Sequence, residues 1–331
     1  MKVALYFACG LYILASCQSA AKQDANNSSA NAIEKESTKQ EISASEDSST
    51  HVAKPDTSDN VEDSFVAIPN VELSYTQRSV PANIIWKSVG KGLKYSEIDL
   101  PMKCNVGDSK VSILKIDPDS ATINLATSKS HGNVGRRADE WLDSLGWRAV
   151  VNAGMFNLDD MVTCTGFMKV DGVYNNPRLS KAYNLIAAFN PKNKSDPLFK
   201  IIDLGCENWD DWKDKYDSYV QGIRVANYEG NNTWGKQEKF WSMVLLGEDR
   251  SGNALFLFTR TPYRVYDFSK MLLALPLELE NIMYLEGGPE ACLQLQTKSL
   301  QVSKMGSYET DFNERDNNME LWNIPNVIYV K

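Results

Sequence analysis

Two apolar runs lie between residues 111 and 126, with a short polar segment between them. Val111–Ile116 and Thr122–Ala126 are rich in β-branched and aliphatic residues. Between them lies Asp117-Pro118-Asp119-Ser120, and proline at the second position of a four-residue turn favours a type I turn. The pattern therefore predicts a strand, a turn and a second strand.

Apolar positions then change to a helical spacing. Ala138, Trp141, Leu142 and Leu145 recur at i, i+3, i+4 and i+7, which puts them on one face of a helix. Gly146 is a typical stop signal, and the apolar run 148–152 after it predicts a strand.

Strand-like and helix-like apolar patterns alternate again near the C-terminal end. Ala254–Thr259 reads as a buried strand, and Asp267 or Ser269 is expected to cap a helix that runs through Met271–Leu275. Pro276 breaks the chain, and Ile282–Leu285 reads as a further strand. This order of elements predicts an α+β fold or a mixed α/β sheet.

The N-terminal segment reads as an export signal. An apolar run from Val3 to Ala15 follows Lys2 and closes on Leu14-Ala15-Ser16-Cys17, which has the form of a lipobox. The run is too short for a spanning helix, which needs roughly 20 residues. We expect residues 1–16 to be a lipoprotein signal peptide and the thiol of Cys17 to carry a lipid, so the protein is expected in a bacterial cell envelope, periplasmic or associated with the outer membrane.

Composition divides the rest of the chain in two. Residues 18–64 contain no Phe, Tyr or Trp and are rich in Ser, Ala, Asn, Lys, Asp and Glu, so with Cys17 they predict a disordered tether over 17–64. All 8 Trp residues follow, in a segment with neither a second linker nor an internal repeat. We therefore predict one folded domain over 65–331, with its core at about 90–331.

The net charge and the cysteine content bear on nucleic-acid binding and on disulfide formation. The net charge of -8, without a basic stripe, argues against nucleic acid as a partner. Four cysteines lie in the predicted domain, and an exported protein permits disulfides. Three pairings are open, and small buried thiols are the alternative. These cysteines are Cys104, Cys164, Cys206 and Cys292.

Two glycine-containing segments offer candidate chemistry. In the first, Asn152, Gly154 and Phe156 follow a predicted strand, where glycine lets the backbone approach a ligand. In the second, the Glu286 carboxylate ends a buried strand and precedes Gly287, Gly288, Pro289 and Glu290. A tight turn there would aim the carboxylate outward and leave glycine N–H groups for an anion or a sugar hydroxyl. An ordinary turn is the alternative for each.

Two arginines lie between these segments. Arg224 follows Gln221, and Arg260 precedes Tyr263, each after a short apolar run. The guanidinium group is suited to bidentate binding of phosphate oxygens, although arginines at strand ends often form surface ion pairs instead. Of the 2 His residues one, His51, lies in the tether, so a catalytic triad or a multi-histidine zinc site lacks its parts.

Four segments together resemble the phosphodiester glycosidase domain family. They are Asn-Ala-Gly-Met-Phe at 152–156, Gln221–Arg224 with Trp234 behind it, Ser-Met-Val-Leu-Leu-Gly at 242–247, and Leu-Glu-Gly-Gly-Pro at 285–289. The resemblance spans roughly residues 90–331. It departs from the family where Asn-x-Asp-Gly-Gly is more usual than Tyr284–Gly288, and where Trp241 or Ser242 replaces a common arginine.

The resemblance implies a fold and an activity. The fold is a single α+β domain with a mixed, largely antiparallel, curved sheet flanked by helices. The activity is hydrolysis of the glycosidic bond of a sugar-1-phosphate diester, so the expected partner is a carbohydrate phosphodiester, and the expected membrane contact is the lipid on Cys17. The expected catalytic residues are Glu286, Glu290, Arg260 and Arg224. The expected substrate-binding residues are Asn152, Gly154, Phe156, Gln221, Tyr263, Gly287 and Gly288.

Two alternatives remain at this point. One is a catalytically silent protein of the envelope that binds glycans, and the other is a metal-dependent phosphodiesterase. No Asp-rich loop with the spacing of Ca²⁺ or Mg²⁺ ligands is visible, so no cofactor and no metal site are expected, although Ca²⁺ or Mg²⁺ binding is left open.

Overall fold

Antiparallel β-structure dominates the protein. The computed structural model describes residues 71–331, so the predicted signal peptide 1–16 and the whole predicted tether 17–64, with Cys17, lie outside the described residues. All strand pairings between named strands of this part are antiparallel. The strands are β1 (Tyr75–Gln77), β2 (Lys87–Gly90), β3 (Leu93–Asp99), β4 (Met102–Cys104), β5 (Lys110–Ile116), β6 (Ile123–Thr127), β7 (Ala149–Asn152), β8 (Met168–Val170), β9 (Val173–Asn176), β10 (Leu185–Pro191), β11 (Phe199–Asp203), β12 (Tyr216–Ala226), β13 (Trp241–Asp249), β14 (Ala254–Tyr263), β15 (Leu279–Gly287), β16 (Cys292–Gln296), β17 (Gln301–Met305) and β18 (Asn326–Val330).

Two helices accompany these strands in the part that the structure describes. They are α1 (Ala138–Leu145) and α2 (Val265–Ala274), and three short 3₁₀ turns lie at Ser128–Ser130, Trp209–Asp211 and Gly288–Glu290. Helix α1 ends at Gly146, whose φ of 64° is left-handed, as the stop signal predicts.

The strands form two main sheets that pack face to face. The large sheet has 11 strands in the order β11-β10-β12-β15-β13-β14-β5-β3-β2, with β8 paired to β12 and β9 paired to β8. The small sheet has 5 strands in the order β17-β16-β7-β18-β6. Between them lies the inner core, to which both sheets contribute aliphatic and aromatic side chains such as Leu114, Val244 and Leu285 from the large sheet and Val151 and Ile328 from the small one. Burial of these apolar faces is the main stabilising contribution.

Each helix covers part of an outer sheet face. Trp141 and Leu142 of α1 pack on the small sheet, and Phe268 and Leu272 of α2 pack on the large one. The helical apolar spacings in the sequence reflect these two contacts.

The predicted α+β fold class is wrong, because the chain builds a β-rich fold of two stacked sheets rather than one sheet flanked by helices. From β8 to β14 the chain runs through seven successive strands without an α-helix, and such antiparallel neighbours need no crossover helix. The predicted turn at 117–120 is present, with Ser120 N donating to Asp117 O at 3.1 Å. It does not close a hairpin, since β5 belongs to the large sheet and β6 to the small one.

Other local predictions differ mainly in length. Strands β14 and β15 extend beyond the predicted runs, to Tyr263 and Gly287. Helix α2 begins at Val265, so Asp267 lies in its first turn and does not cap it. The four cysteines of the described part form no disulfide with one another, and Cys206 is exposed while the other three are buried.

Candidate functional site

The Glu286 corner, which we define as Glu286, Gly287, Gly288 and Glu290, lies where β15 ends. A β-bulge precedes it, because Glu286 pairs with Val244 and Tyr284 pairs with Leu245, which leaves Leu285 as the extra residue. Directly opposite residues share a face of the sheet, so Glu286 lies on the inner-core side with Val244. The bulge therefore turns this carboxylate towards the gap between the sheets.

Asn152 ties the two glycine segments together. Its side-chain nitrogen donates to the backbone oxygen of Glu290 at 2.9 Å, and its side-chain oxygen accepts from the backbone nitrogen of Cys292 at 2.9 Å. Asn152 is buried at the end of β7 in the small sheet, while Glu290 follows the large sheet. These contacts span about 140 positions of sequence and fix the corner to both sheets.

Gly154 lies on the same side of the corner. Its φ of 99° is left-handed, and a side chain there would approach the Cys164 thiol and Val220. Phe156 forms an isolated bridge with Cys164, so the loop after Gly154 turns back along this thiol. The structure thus places Asn152 at the corner and Gly154 and Phe156 beside Cys164, and their role in substrate binding stays a prediction.

The charge of Glu286 acts on its buried neighbours. Burial raises the pKa of the Cys164 thiol to about 12, and the negative charge of Glu286 adds to this effect. Burial also raises the pKa of Tyr183 and of the Cys292 thiol, with a further contribution from Glu286 in each. A carboxylate that acts on several buried groups at once lies in a weakly screened environment.

Tyr284 is surrounded by carboxylates. Burial raises its pKa well above the usual value, and then Glu286, Glu309 and Glu290 raise it further, in that order. The hydroxyl therefore stays protonated and can act as a hydrogen-bond donor at any physiological pH.

Close neighbours leave no room for a side chain at Gly287 or Gly288. A side chain on Gly287 would overlap the Tyr284 hydroxyl and would lie 2.6 Å from Trp241 Cδ1. Gly288 has a left-handed φ of 66°, and a side chain there would overlap the Glu309 carboxylate. The turn thus packs between Tyr284 and Trp241 on one side and Glu309 on the other.

An aromatic cluster borders this corner, formed by Trp234, Trp241 and Tyr284. The ring centroids of Trp234 and Tyr284 are 5.5 Å apart, and those of Trp241 and Tyr284 are 6.4 Å apart in an edge-to-face arrangement. Both tryptophans are partly exposed, and Met155 and Ile223 pack against the same apolar cluster. Half-exposed rings next to carboxylates suit a ligand with an apolar face and several hydroxyl groups.

Both predicted arginines are engaged elsewhere. Arg224 NH1 lies 2.7 Å from the buried Asp203 carboxylate. Arg260 uses all three of its nitrogens, with Nε 2.6 Å from Asp316, NH1 3.0 Å from Met305 O and NH2 2.9 Å from Asn318 O. Strands β15 and β13 separate the strands that carry them, so the two backbones are about 14 Å apart at the usual spacing.

Gln221 and Tyr263 are also committed to the fold. The Gln221 side chain accepts from the nitrogens of Phe167 and Ser180 and donates to the oxygens of Ser180 and Tyr183, which uses its hydrogen-bonding capacity. The buried Tyr263 stacks on Phe268 and donates to Met102 O at 2.5 Å. The structure therefore does not bring these two side chains into the corner.

Glu309 and Tyr284 also lie at the corner, although the sequence pattern predicts neither as a candidate site residue. Tyr284 looks like one more apolar strand residue, and Glu309 lies among several other acids at 309–316, so no local signal marks either. Among residues 71–331 no group of three or more His, Cys, Asp or Glu side chains is arranged to hold a metal ion. In the same part no helix is long and apolar enough to cross a membrane.

Comparison with known proteins gives structural matches only. No family model matches the chain, and no curated protein matches it. The chain is similar to the zebrafish N-acetylglucosamine-1-phosphodiester alpha-N-acetylglucosaminidase catalytic domain auto-inhibited by its pro-peptide, with 14% identity and a TM-score of 0.49 over 78% of this chain and 88% of that chain. It is also similar to a hypothetical protein from Synechocystis, with 10% identity and a TM-score of 0.44 over 78% and 72% of the two chains. Matches at this level assign no activity.

Proposed function

We propose that the Glu286 corner hydrolyses the glycosidic bond of a sugar-1-phosphate diester. The observation that carries the proposal is the pair of hydrogen bonds between Asn152 and the 290–292 backbone, which joins two of the four segments on which the family resemblance rests. Asn152 ends β7, and Cys292 begins β16, the strand that pairs with β7 in the small sheet. The two hydrogen bonds therefore bring the first segment, about 140 positions earlier in the sequence, beside the turn that follows Glu286. Glu286, on the bulge beside them, is the carboxylate best placed to act on a bound sugar.

The reaction needs little from the protein beyond one carboxylate and a sugar site. Glu286 takes a proton from water as the water oxygen bonds to the anomeric carbon. The C–O bond to phosphate breaks, and its electron pair leaves on the phosphate oxygen as a phosphate monoester. Because this leaving group is already a stable anion, it requires no proton from a general acid.

The aromatic cluster would hold the sugar. Trp241 and Trp234 offer partly exposed ring faces to the apolar face of the sugar, while the carboxylates beside Tyr284 accept hydrogen bonds from its hydroxyl groups. The negative corner disfavours a phosphate in direct contact with it, so the phosphate is expected to point away from Glu286.

The role of the two arginines as a phosphate clamp remains a prediction. Their pairing with Asp203 and Asp316 means that either arginine would have to exchange a protein partner for a phosphate. This observation favours a second candidate, a protein that binds glycans at the corner without cleaving them.

Hexose-1-(p-nitrophenyl phosphate) diesters, in both anomers of several hexoses, separate the candidates. Glycosidic cleavage releases free sugar and p-nitrophenyl phosphate, whereas P–O cleavage at the aryl ester releases yellow p-nitrophenol. In ¹⁸O water the proposed reaction puts the label on the sugar and none on phosphate. Label in the phosphate would overturn the proposal, and tight binding without any product would favour the glycan-binding candidate.

Arg224→Lys tests the clamp in the same assay, against p-nitrophenyl glycosides as the matched substrate. If Arg224 clamps the phosphate, the variant should lose more hydrolytic activity on the phosphodiester than on the glycoside. Lysine keeps the positive charge but lacks the planar guanidinium group that binds two phosphate oxygens. Equal losses on both substrates would assign Arg224 to the scaffold.

We further propose that the protein is exported and anchored to a membrane of the cell envelope through a lipid on Cys17. The support is the lipobox at 14–17 and the acidic, aromatic-free segment after it. Cys17→Ser should remove the protein from the membrane fraction after a high-salt wash, because the tether carries more acids than lysines and gains little from anionic lipid. Retention of this variant on membranes would contradict the anchor.

A further inference from the structure

The segment Gly306–Asn318 brings Glu309 to the Glu286 corner from another part of the chain. The Glu309 carboxylate lies against the Cα of Gly288, where no side chain would fit. It ranks behind Glu286 and ahead of Glu290 in its effect on Tyr284. Glu309 as a residue is partly exposed.

The backbone of Glu309 is firmly placed. It forms a bridge with Trp241, and its nitrogen and oxygen exchange hydrogen bonds with Asn313 at 2.9 Å each. The buried Ser242 hydroxyl accepts from the nitrogens of Ser307 and Tyr308 and donates to Arg260 O at 2.6 Å. The first half of the segment is thus bound to β13 and β14.

Arg260 holds both ends of the segment. Its NH1 donates to Met305 O just before the segment, and its NH2 donates to Asn318 O at the end, while Nε pairs with Asp316. One guanidinium group therefore closes a loop of 13 residues. Three donors in a fixed planar arrangement fix both position and orientation, which a lysine cannot do.

We propose that Glu309 is a substrate-contacting carboxylate of the Glu286 corner and that Arg260 is the positioning residue that holds Glu309 there through Gly306–Asn318. Arg260 then acts on the substrate through the loop and does not touch the phosphate. Glu309 accepts hydrogen bonds from sugar hydroxyls on the side of Gly288 opposite Tyr284. The inference rests on the proposed function for the identity of the ligand as a sugar.

A double-mutant cycle tests the proposal on the full chain, with the hexose-1-(p-nitrophenyl phosphate) panel as substrate. Glu309→Gln keeps the shape of the side chain and should lower kcat/KM by roughly 10- to 100-fold, with thermal stability nearly unchanged. Arg260→Lys should lower kcat/KM by about 10-fold alone and by less than about 2-fold in the Glu309→Gln background, because both changes remove the same contact. The stability cost of Arg260→Lys should be equal in the two backgrounds.

Two further measurements separate position from general damage. Hydrogen exchange of the amides at 306–318 should be faster in Arg260→Lys than in wild type. Asp311→Asn is the matched control, because Asp311 is an exposed acid of the same loop with a positive φ that asparagine tolerates, and it should leave kcat/KM unchanged. Equal effects of Arg260→Lys in both backgrounds, no effect of Glu309→Gln on kcat or KM, or unchanged exchange at 306–318 would each overturn the inference.

The inference and the proposed function fail separately. If wild type cleaves no diester, the proposed function is wrong, and the same cycle is then measured by tryptophan fluorescence titration with the same compounds. Coupled losses of affinity for Glu309→Gln and Arg260→Lys would still support the positioning role. Independent losses, or no binding of any of these compounds to wild type, would overturn it.

Discussion

Glu286 and Glu248 lie towards opposite ends of the same pair of neighbouring strands, β13 and β15. Glu286 pairs with Val244, and Glu248 pairs with Asn281. The carboxylate of Glu286 accepts a hydrogen bond from the backbone nitrogen of Gly287 at 3.1 Å, and its charge raises the pKa of Cys164, Tyr183 and Tyr284. Glu248 instead accepts a hydrogen bond from the backbone nitrogen of Ile201 at 2.9 Å.

The contacts of Glu248 lie at the edge of the large sheet. Ile201 belongs to β11, the edge strand of the large sheet, and Asn281 Nδ2 reaches its backbone oxygen at 3.5 Å. Side chains from β13 and β15 therefore cover an exposed strand edge, which protects it from pairing with another chain. Burial of a carboxylate alone does not indicate chemistry, because at one end of the strands the carboxylate binds the backbone of an edge strand and at the other it lies in a turn that contains two glycines.

The largest effect is expected at the corner. Glu286→Gln should lower the rate of diester hydrolysis by about 10²–10⁴-fold, because it removes the base, while thermal stability changes little. Glu290→Gln, measured alongside by sugar release, should cost far less, since Glu290 is fixed at the corner through its backbone oxygen. Comparable rates for wild type and Glu286→Gln would remove Glu286 from the mechanism and erase the contrast with Glu248.

A smaller effect is expected at the other end, on stability. Burial raises the pKa of Glu248 from 4.5 to about 7, so the folded protein binds this proton more tightly than the unfolded chain does. The free energy of unfolding contributed by this group is therefore largest below pH 4.5 and is lost as the pH rises to about 7. Glu248→Gln should remove about 1–3 kcal/mol of this pH dependence, as measured by urea unfolding between pH 4 and 8. Sugar release at fixed pH should be unchanged, and a wild-type-like pH slope in this variant would assign the dependence to another group.

A glycine at each end gives a second comparison of stability. Gly288 at the corner and Gly252 in the β13–β14 turn both have a left-handed φ, of 66° and 75°. A side chain at Gly252 meets nothing within 4 Å, whereas one at Gly288 overlaps the Glu309 carboxylate. Gly252→Ala should cost about 1 kcal/mol for its backbone alone, and Gly288→Ala should cost about 1–3 kcal/mol more. Equal costs in urea unfolding would mean that Glu309 moves aside freely, which would also weaken its assignment to the site.

Much of the local structure was determined by the sequence itself. The stop at Gly146, the apolar spacing of Trp141 and Leu142, and the strands at 111–116 and 148–152 depend on backbone geometry and burial within a few residues. The Glu286 corner could also be predicted as a turn from the sequence, because a carboxylate before two glycines is a local feature. The α+β expectation failed because the local pattern of a strand does not state which sheet the strand joins.

The tertiary structure alone decided which polar residues meet. The bulge at Leu285 turns Glu286 to the inner side, and it exists only because β15 pairs with β13. The sequence predicts Arg260 and Gln221 as ligand-binding residues. In the structure both side chains donate hydrogen bonds to backbone oxygens about 40 to 60 positions away. Glu309 has no distinguishing neighbours in the sequence and reaches the corner only through loop contacts. Local patterns record burial and turn stereochemistry, whereas hydrogen bonds between distant segments depend on how the sheets stack, and no short stretch of sequence contains that information.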